Sequence, residues 1–399
     1  MLSLGIDTHE RINYAEIQDD KANILWHGRF NNAKKDFEEL IDRIDRIEKS
    51  NNNKIMGIFI NPTGNYHLPL RYFLEKHGFN VYMIDSRKTV YLRMVMNLNT
   101  EKSDKEDAHI LASTPWFDHN YNSNSNHDRL PLSNITRERN IINKNITRLT
   151  NIIHSDLAAV FPEFIDVFSI DSATGMAILG KYAAPLAILN AGKNNIIKLI
   201  KKASRNHYNS DTADKLIALA KNSIGIPDDG IYEFRIRMNI RRLKNELNEL
   251  KAIDNEIIKR ATDNDDIDHL IALKGIGTIN SAVIVSEIGD IKQFDSVLKL
   301  QSYAGKCPDM TGSGGKSYSK GVTHVRNKYL GNAVYESAVS LVMNKNGEFY
   351  NVFNREIGKK KSTVEAYIAV AKRLSFHVYS IMKNNKPYKE RKVGNMKVS

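Results

Sequence analysis

Two hydrophobic periods alternate through the first hundred residues, and few architectures tolerate that alternation. "LSLGID", "INYAEI" and "NILWHGRF" read as three consecutive strands, whereas "KKDFEELIDRIDRIEK" spaces its apolar residues for a helix. "KIMGIFI" is a fourth strand, "YHLPLRYFLEKHG" a second helix and "NVYMID" a fifth strand. Helical text follows at "KTVYLRMVM" and "SDKEDAHILAS". A run of meander strands followed by βαβ units requires a mixed sheet with helices packed against it.

That order of elements is the order of a ribonuclease-H-like domain, here assigned to residues 1–115. The 399 residues leave room for two to three domains. "FDHNYNSNSNHDRLPLSN" is rich in Asn, Ser and His and aperiodic, so it reads as a linker. Beyond it, Ile142, Ile146, Leu149, Ile153 and Leu157 recur at three- and four-residue steps. A second series runs Ile236, Ile240, Leu243, Leu247, Leu250, Ile253 and Ile257, with charges between. Such series form either a helical hairpin inside one domain or a coiled-coil contact between two copies. Residues 161–228 read as a small helical insert between them, giving a linker and helical region over 116–265. A mainly helical domain is expected over 266–385 and a basic tail over 386–399. The helical domain opens with "IDHLIALKGIGTINSAVIVSEIG", a helix, a Gly275–Gly277 turn and a second helix: a helix-hairpin-helix pattern whose exposed backbone N–H groups suit a DNA phosphate.

Charge agrees with a polyanionic partner. Lys and Arg number 58 against 46 Asp and Glu, a net charge of +12, and nucleic acid is the first expectation for such a chain. With 41% hydrophobic residues the chain buries a core and is not a disordered polymer. The single cysteine, Cys307, excludes an intramolecular disulfide and a Cys-rich zinc site, and fits a reducing cytoplasm. The most apolar window, "ATGMAILGKYAAPLAILNA", is broken by Lys181 and Pro185, so no membrane partner is expected.

Asp7 closes a strand expected in the middle of the sheet. Asp104 and Asp107, three apart at a helix start, share one face. Strand-end and helix-start carboxylates that converge are what a pair of Mg²⁺ ions about 4 Å apart requires. Each acid alone also has a plain reading, as a helix cap or a solvated strand end. The fourth strand should run beside the first and bring a further carboxylate, but the residue at its end is Asn61. An amide oxygen can ligate Mg²⁺ without charge.

"GSGGKS" within "MTGSGGKSYSKG" looks like a phosphate-binding P-loop, but the required first glycine falls on Met310, and neither flank reads as the strand or helix that motif needs. Ser313, with Gly312, Gly314 and Gly315 around it and Lys316 and Lys320 nearby, has no local His or Asp for a hydrolase triad. A serine directed at phosphate is different, because cations can lower its barrier; the plain alternative is a solvated turn residue.

"GIDTHE", "NPTGNYHLPLRYFLEKHGFNV", "KSDKEDAHILAS", "LKGIGTINSAVIVSEIGDIKQFDSVLKLQSYAGKCPD" and "SGG", in that order, resemble the DEDD-motif insertion-sequence transposases, relatives of Piv-type DNA invertases and bridge-RNA-guided recombinases. The resemblance spans nearly the whole chain. It implies a RuvC-like domain holding Mg²⁺ through four acids, three of which match Asp7, Asp104 and Asp107; the fourth is Asn61 here. It implies that Ser313 attacks a DNA phosphodiester and forms a phosphoserine link, in a composite centre completed by the acidic site of another subunit of a homodimer or homotetramer. Donor and target DNA would be recognised through a structured guide RNA. Gly314, Lys316, Lys320, Arg326 and Lys328 would contact nucleic acid. The family's "KxGNxxLR" stretch reads "HVRNKYLG", with Arg326 and Gly331 in place of its glycine and final arginine. Two other readings stand beside this one: a non-catalytic DNA- or RNA-binding descendant, and a structure-specific metal nuclease using Asp7, Asp104 and Asp107 alone.

Overall fold

A computed structural model describes residues 1–62, 64–84, 86–96, 103–117, 130–305, 308–313, 316–322 and 326–388, with residues 86–88, 130, 308–313 and 316–322 described by their backbone alone. The chain divides into two units, Met1–His127 and Asp128–Ser399. In the first, β1 (Leu2–Asp7), β2 (Ile12–Asp19) and β3 (Ile24–Asn31) form an antiparallel meander. After α1 (Lys34–Asn51), β4 (Ile55–Asn61) joins β1 in parallel. Then α2 (His67–Lys76) leads to β5 (Val81–Met83), parallel to β4, followed by α3 (Ser86–Val95) and α4 (Asp104–Phe117). The sheet order is β3-β2-β1-β4-β5, so β1 is central and buried along its whole length.

Period-two alternation explains what each face of β1 does. Leu2, Leu4 and Ile6 pack with Phe37, Leu40 and Ile44 of α1 and with Leu70 and Leu74 of α2. Ser3 and Gly5 face α4 instead: the Ser3 hydroxyl donates to the Ala112 carbonyl at 2.6 Å. A Cβ at Gly5 would stand 2.1 Å from the Ala112 amide nitrogen and 2.3 Å from the Ala108 carbonyl oxygen. Glycine lets the helix lie directly on the strand. Alternation puts Asp7 on this same α4 face. On β4, Phe59 packs with Leu111 of α4, so Asn61 two residues further shares that face.

The second unit opens with α5 (Leu130–Val160), then carries the short helices α6 (Ala173–Leu179), α7 (Pro185–Ala191), α8 (Lys193–Ala203) and α9 (Ser210–Lys221), and returns through α10 (Ile231–Ala261). It continues with α11 (Asp265–Ile271), α12 (Thr278–Ile288) and α13 (Val297–Tyr303), the antiparallel strands β6 (Pro308–Ser313) and β7 (Lys316–Val322), and α14 (Lys328–Met343), α15 (Gly347–Gly358) and α16 (Thr363–Asn384). α5 and α10 run antiparallel within the one chain. Arg139 pairs with Asp254, the Asn145 amide donates to Glu246 at 3.2 Å, and Arg235 meets Asp156 at 3.2 Å. Of the two arrangements open to the apolar series, the chain adopts the intrachain hairpin. One end of the pair joins the insert through Leu149, Ile153, Leu157, Ile236, Ile240 and Leu243. The other reaches the C-terminal core through Leu132, Ile257 and Ala261.

Two expectations are corrected. "FDHNYNSNSNHDRLPLSN", expected to be linker throughout, supplies the last residue of α4 (Phe117) and, from Leu130, the first turn of α5; residues 118–129 lie outside the described residues. Pro131 sits where a helix has no N–H partner to lose. The glycine-serine stretch, expected to be a loop, forms the β6–β7 ladder with Ser313 opposite Lys316. The intervening Gly314 and Gly315 lie outside the described residues, as do Cys307 and the tail beyond Tyr388. Among the described residues no helix is long and apolar enough to cross a membrane.

Candidate functional site

The C-terminal end of β1 is the focus of the first unit. Asp7 lies in register with Asn61 on β4, and both are more than nine-tenths buried. The turn after β1 is held on two sides: the Thr8 hydroxyl donates to the Asn61 carbonyl at 3.0 Å, and the His9 amide donates to the Asn13 side chain at 3.1 Å. This places the His9 Nε2 3.0 Å from Asp7 Oδ2 and 3.3 Å from Asp104 Oδ1. Ligand atoms of Asp7, His9 and Asp104 all lie within 4.8 Å of one another.

Asp104 and Asp107 arrive together because α4 begins there and is seated on β1 through Gly5. Burial pushes the Asp7 carboxyl up to about 6; His9 pulls it down, while the charges of Asp107 and Asp104 add to the rise. Asp107 is also claimed from the other side. The Arg93 guanidinium of α3 binds its carboxylate and, at 2.8 Å, that of Glu106. Of the four residues expected to hold metal, Asp7 and Asp104 share His9, Asn61 lies beside Asp7 on the adjoining strand, and Asp107 is held by Arg93.

Beneath this cluster runs a buried polar layer between β2 and α4. Glu16, opposite Gly5 in the ladder, bonds His109 Nδ1 at 2.6 Å and accepts from the Gln18 amide at 2.7 Å. Ser113 donates to the Gln18 side-chain oxygen at 3.0 Å. The bond to Glu16 raises the His109 pKa. His9, Arg93, Glu16 and His109 were not singled out from the sequence. His9 could have been found: it stands two residues after Asp7, within "GIDTHE" itself.

In the second unit, Ser313 ends β6 beside the start of β7, which carries Lys316 and Lys320. Arg326 folds over Gly305, where a Cβ would meet its side chain, and Lys328 is the exposed first residue of α14. Between them Asn327 has a structural task. It caps α14 by accepting from the Tyr329 and Leu330 amides at 3.0 Å, and donates to buried Glu287, which Arg137 holds through both guanidinium arms at 2.7 and 2.8 Å. Gly331 lies against the Ala304 carbonyl, where a Cβ would come within 2.6 Å, so an arginine at this position would need the helix to shift. The Gly275–Gly277 turn does join two helices, but its glycines differ. Gly275, at φ +121°, is pressed on Leu341 of α14, and a Cβ would come within 3.2 Å of its backbone; packing, not exposure, explains it. Gly277 is exposed, with open space around it at the start of α12.

The fold and the acidic cluster define an α/β protein with carboxylates gathered at a strand end and a helix start, joined to a mostly helical unit. Residues 4–162 match the DEDD transposase model, and residues 267–353 match the model described as the transposase IS116/IS110/IS902 family. Two similar proteins are the insertion element IS110 uncharacterized 43.6 kDa protein of Streptomyces coelicolor, 21% identical over 247 residues, and the insertion element IS116 uncharacterized 44.8 kDa protein of Streptomyces clavuligerus, 22% identical over 310 residues. The first match covers 61% of each chain and the second 75% of each. The chain thus spans less than two thirds of the first relative. It belongs to the IS110-type DEDD transposase family.

Proposed function

We propose that this chain is the transposase of an insertion element, cutting and rejoining DNA through Ser313 with the help of a Mg²⁺ site at Asp7, Asp104 and Asp107. The observation that carries the reading is the convergence of Asp7 and Asp104 on His9 at the end of β1, with Asp107 close enough to disturb Asp7. A divalent cation fits this donor set: the buried Asp7 carboxyl, raised further by the charges of Asp107 and Asp104, is relieved by positive charge, and carboxylate oxygens suit a hard ion. Asp7, Asp104 and Asp107 would hold it, Asn61 offering a neutral amide oxygen and Asp107 exchanging Arg93 for the ion. When bound, the ion supplies charge that offsets the negative charge building on a phosphate. The meander-then-parallel strand order supports an RNase H-like, RuvC-type domain.

In this reading the Ser313 hydroxyl attacks the phosphorus of a DNA phosphodiester. The serine–phosphate bond forms, the bond to one sugar oxygen breaks, and that oxygen takes up a proton and leaves as a hydroxyl. The hydroxyl of a second strand then reverses the step, restoring Ser313 and joining new partners. A structured guide RNA and assembly as a homodimer or homotetramer belong to the same reading through the family resemblance.

The test is recombination of a supercoiled plasmid carrying the element's flanking DNA, with denaturing gels to detect a protein–DNA adduct. The parent should yield an adduct and Ser313→Ala none, while both bind DNA. Adduct formed by the variant would remove Ser313 from the mechanism. Asn61, together with Arg93 on Asp107, favours a second reading, a nucleic-acid-binding descendant that does not cut; it predicts binding without adduct or nick. Nicking without adduct would instead support the metal nuclease.

A further inference from the structure

The face of α5 turned away from its apolar series is unlike an ordinary solvated helix face. Asn140, Lys144, Thr147 and Asn151, with Asn143 and Arg148 beside them, recur at three- and four-residue steps and line a groove of about 680 Å³. Among the described residues no carboxylate lines it. The α5 carboxylates lie elsewhere: Glu138 is not in the groove, and Asp156 is buried against Arg235. On α10, Arg237 and Arg260 pair with acids one turn away, Glu233 and Glu256. Lys144 and Arg148 have no ion-pair partner among the described residues.

The groove does not end on α5. Asn332 of α14 also lines it, and the same Asn332 lines a second cleft of about 210 Å³ together with Arg326, Lys328 and Gly305. Among the described residues that cleft also lacks a carboxylate. The two meet at Asn332 to form one track, with Arg326 and Lys328 on one side of it and Lys144 and Arg148 among amides and hydroxyls on the other, and Arg326 and Lys328 come a few residues after the end of β7. The α5 portion, from Asn140 to Ser155, is about 22 Å long, room for about six phosphates of one DNA strand. Unpaired cations hold phosphates, and side-chain amides donate to phosphate and sugar oxygens without reading sequence.

We propose that this track binds the sugar-phosphate backbone of duplex DNA leading away from the serine hairpin, with Lys144 and Arg148 each neutralising a phosphate. The proposal rests on DNA being the substrate of this chain. It assigns α5 a part in holding DNA in addition to its part in the core.

The experiment measures binding of the full-length protein to a DNA duplex across a salt series. Three proteins are compared: the parent, the double variant Lys144→Ala/Arg148→Ala, and the control Lys201→Ala/Lys202→Ala on exposed positions of α8, which removes the same charge elsewhere. Each lost phosphate contact should flatten the slope of log affinity against log salt by about 0.9, so the α5 variant should be shallower by about 1.8 and bind about 30-fold more weakly near 0.15 M salt. The control should keep the parent's slope. Parallel lines for parent and α5 variant would overturn the track while leaving DNA binding itself intact; a parent that binds no duplex would overturn the proposed function with it. A structured RNA is run alongside. A slope loss seen with RNA and not with duplex DNA would overturn the assigned occupant.

Discussion

Substituting alanine for Gly5 tests whether the acidic cluster depends on how closely α4 lies on β1. The new Cβ would stand 2.1 Å from the Ala112 amide nitrogen, where ordinary contact begins at 3.4 Å, so the helix must retreat by about 1.3 Å. Both nearest atoms are α4 backbone, and no flexible side chain can swing aside. The retreat also stretches the 2.6 Å bond from Ser3 to the Ala112 carbonyl beyond hydrogen-bonding range. Overpacking of this kind costs about 1–3 kcal/mol and the lost bond about 1 kcal/mol, giving roughly 2–4 kcal/mol in all. Both tryptophans, Trp26 and Trp116, fall in the first unit, so their fluorescence reports its unfolding alone. With a urea dependence of about 2 kcal/mol/M, the midpoint should fall by about 1–2 M. Ser3→Ala, which removes only the hydrogen bond, should lose about 1 kcal/mol and separates the two terms. Because Asp104 and Asp107 ride on α4, Gly5→Ala should also weaken Mg²⁺ binding. A midpoint no lower than that of Ser3→Ala would refute the close-approach argument.

Three further outcomes are expected. Asn61→Glu puts a carboxylate beside Asp7 in register and should raise Mg²⁺ affinity in calorimetric titration; equal binding by parent and variant would mean that residue 61 does not serve the ion. Arg137→Ala leaves the buried Glu287 carboxylate without its charge partner, held by Asn327 alone, and should cost about 3 kcal/mol in thermal or urea unfolding of the second unit, and a loss below 1 kcal/mol would count against a structural ion pair there. The hydrogen bonds from Lys361 and Lys359 hold the Glu356 carboxyl down at about 2. A depressed carboxylate pKa contributes stability above its ordinary value near 4.5 that is lost as pH falls toward 2, so Glu356→Gln should flatten the parent's loss of stability across that window; identical acid profiles would exclude the contribution.

Local pattern determined a good deal about this protein. Period-two and period-3.6 runs placed five strands and the helices between them, and the position of Asp7 at the end of "LSLGID" followed from strand length. The departure at Asn61 was equally visible, because the parallel neighbour of β1 ends there. Periodicity says which face of an element is buried and not which partner covers it, so the two long apolar series left a hairpin and a dimer equally open until α5 and α10 paired. The same limit hid the polar layer under the cluster. Glu16 and His109 stand 93 residues apart and meet only because Gly5 lets α4 settle on the sheet. Arg93 reached Asp107 by the same route, from a helix whose place against α4 is not written in its own spacing. Sequence determined which groups the chain carries to the end of β1. Which of them touch was decided by tertiary packing, since hydrogen bonds and ion pairs act over a few ångströms and the chain brings these residues that close only when folded.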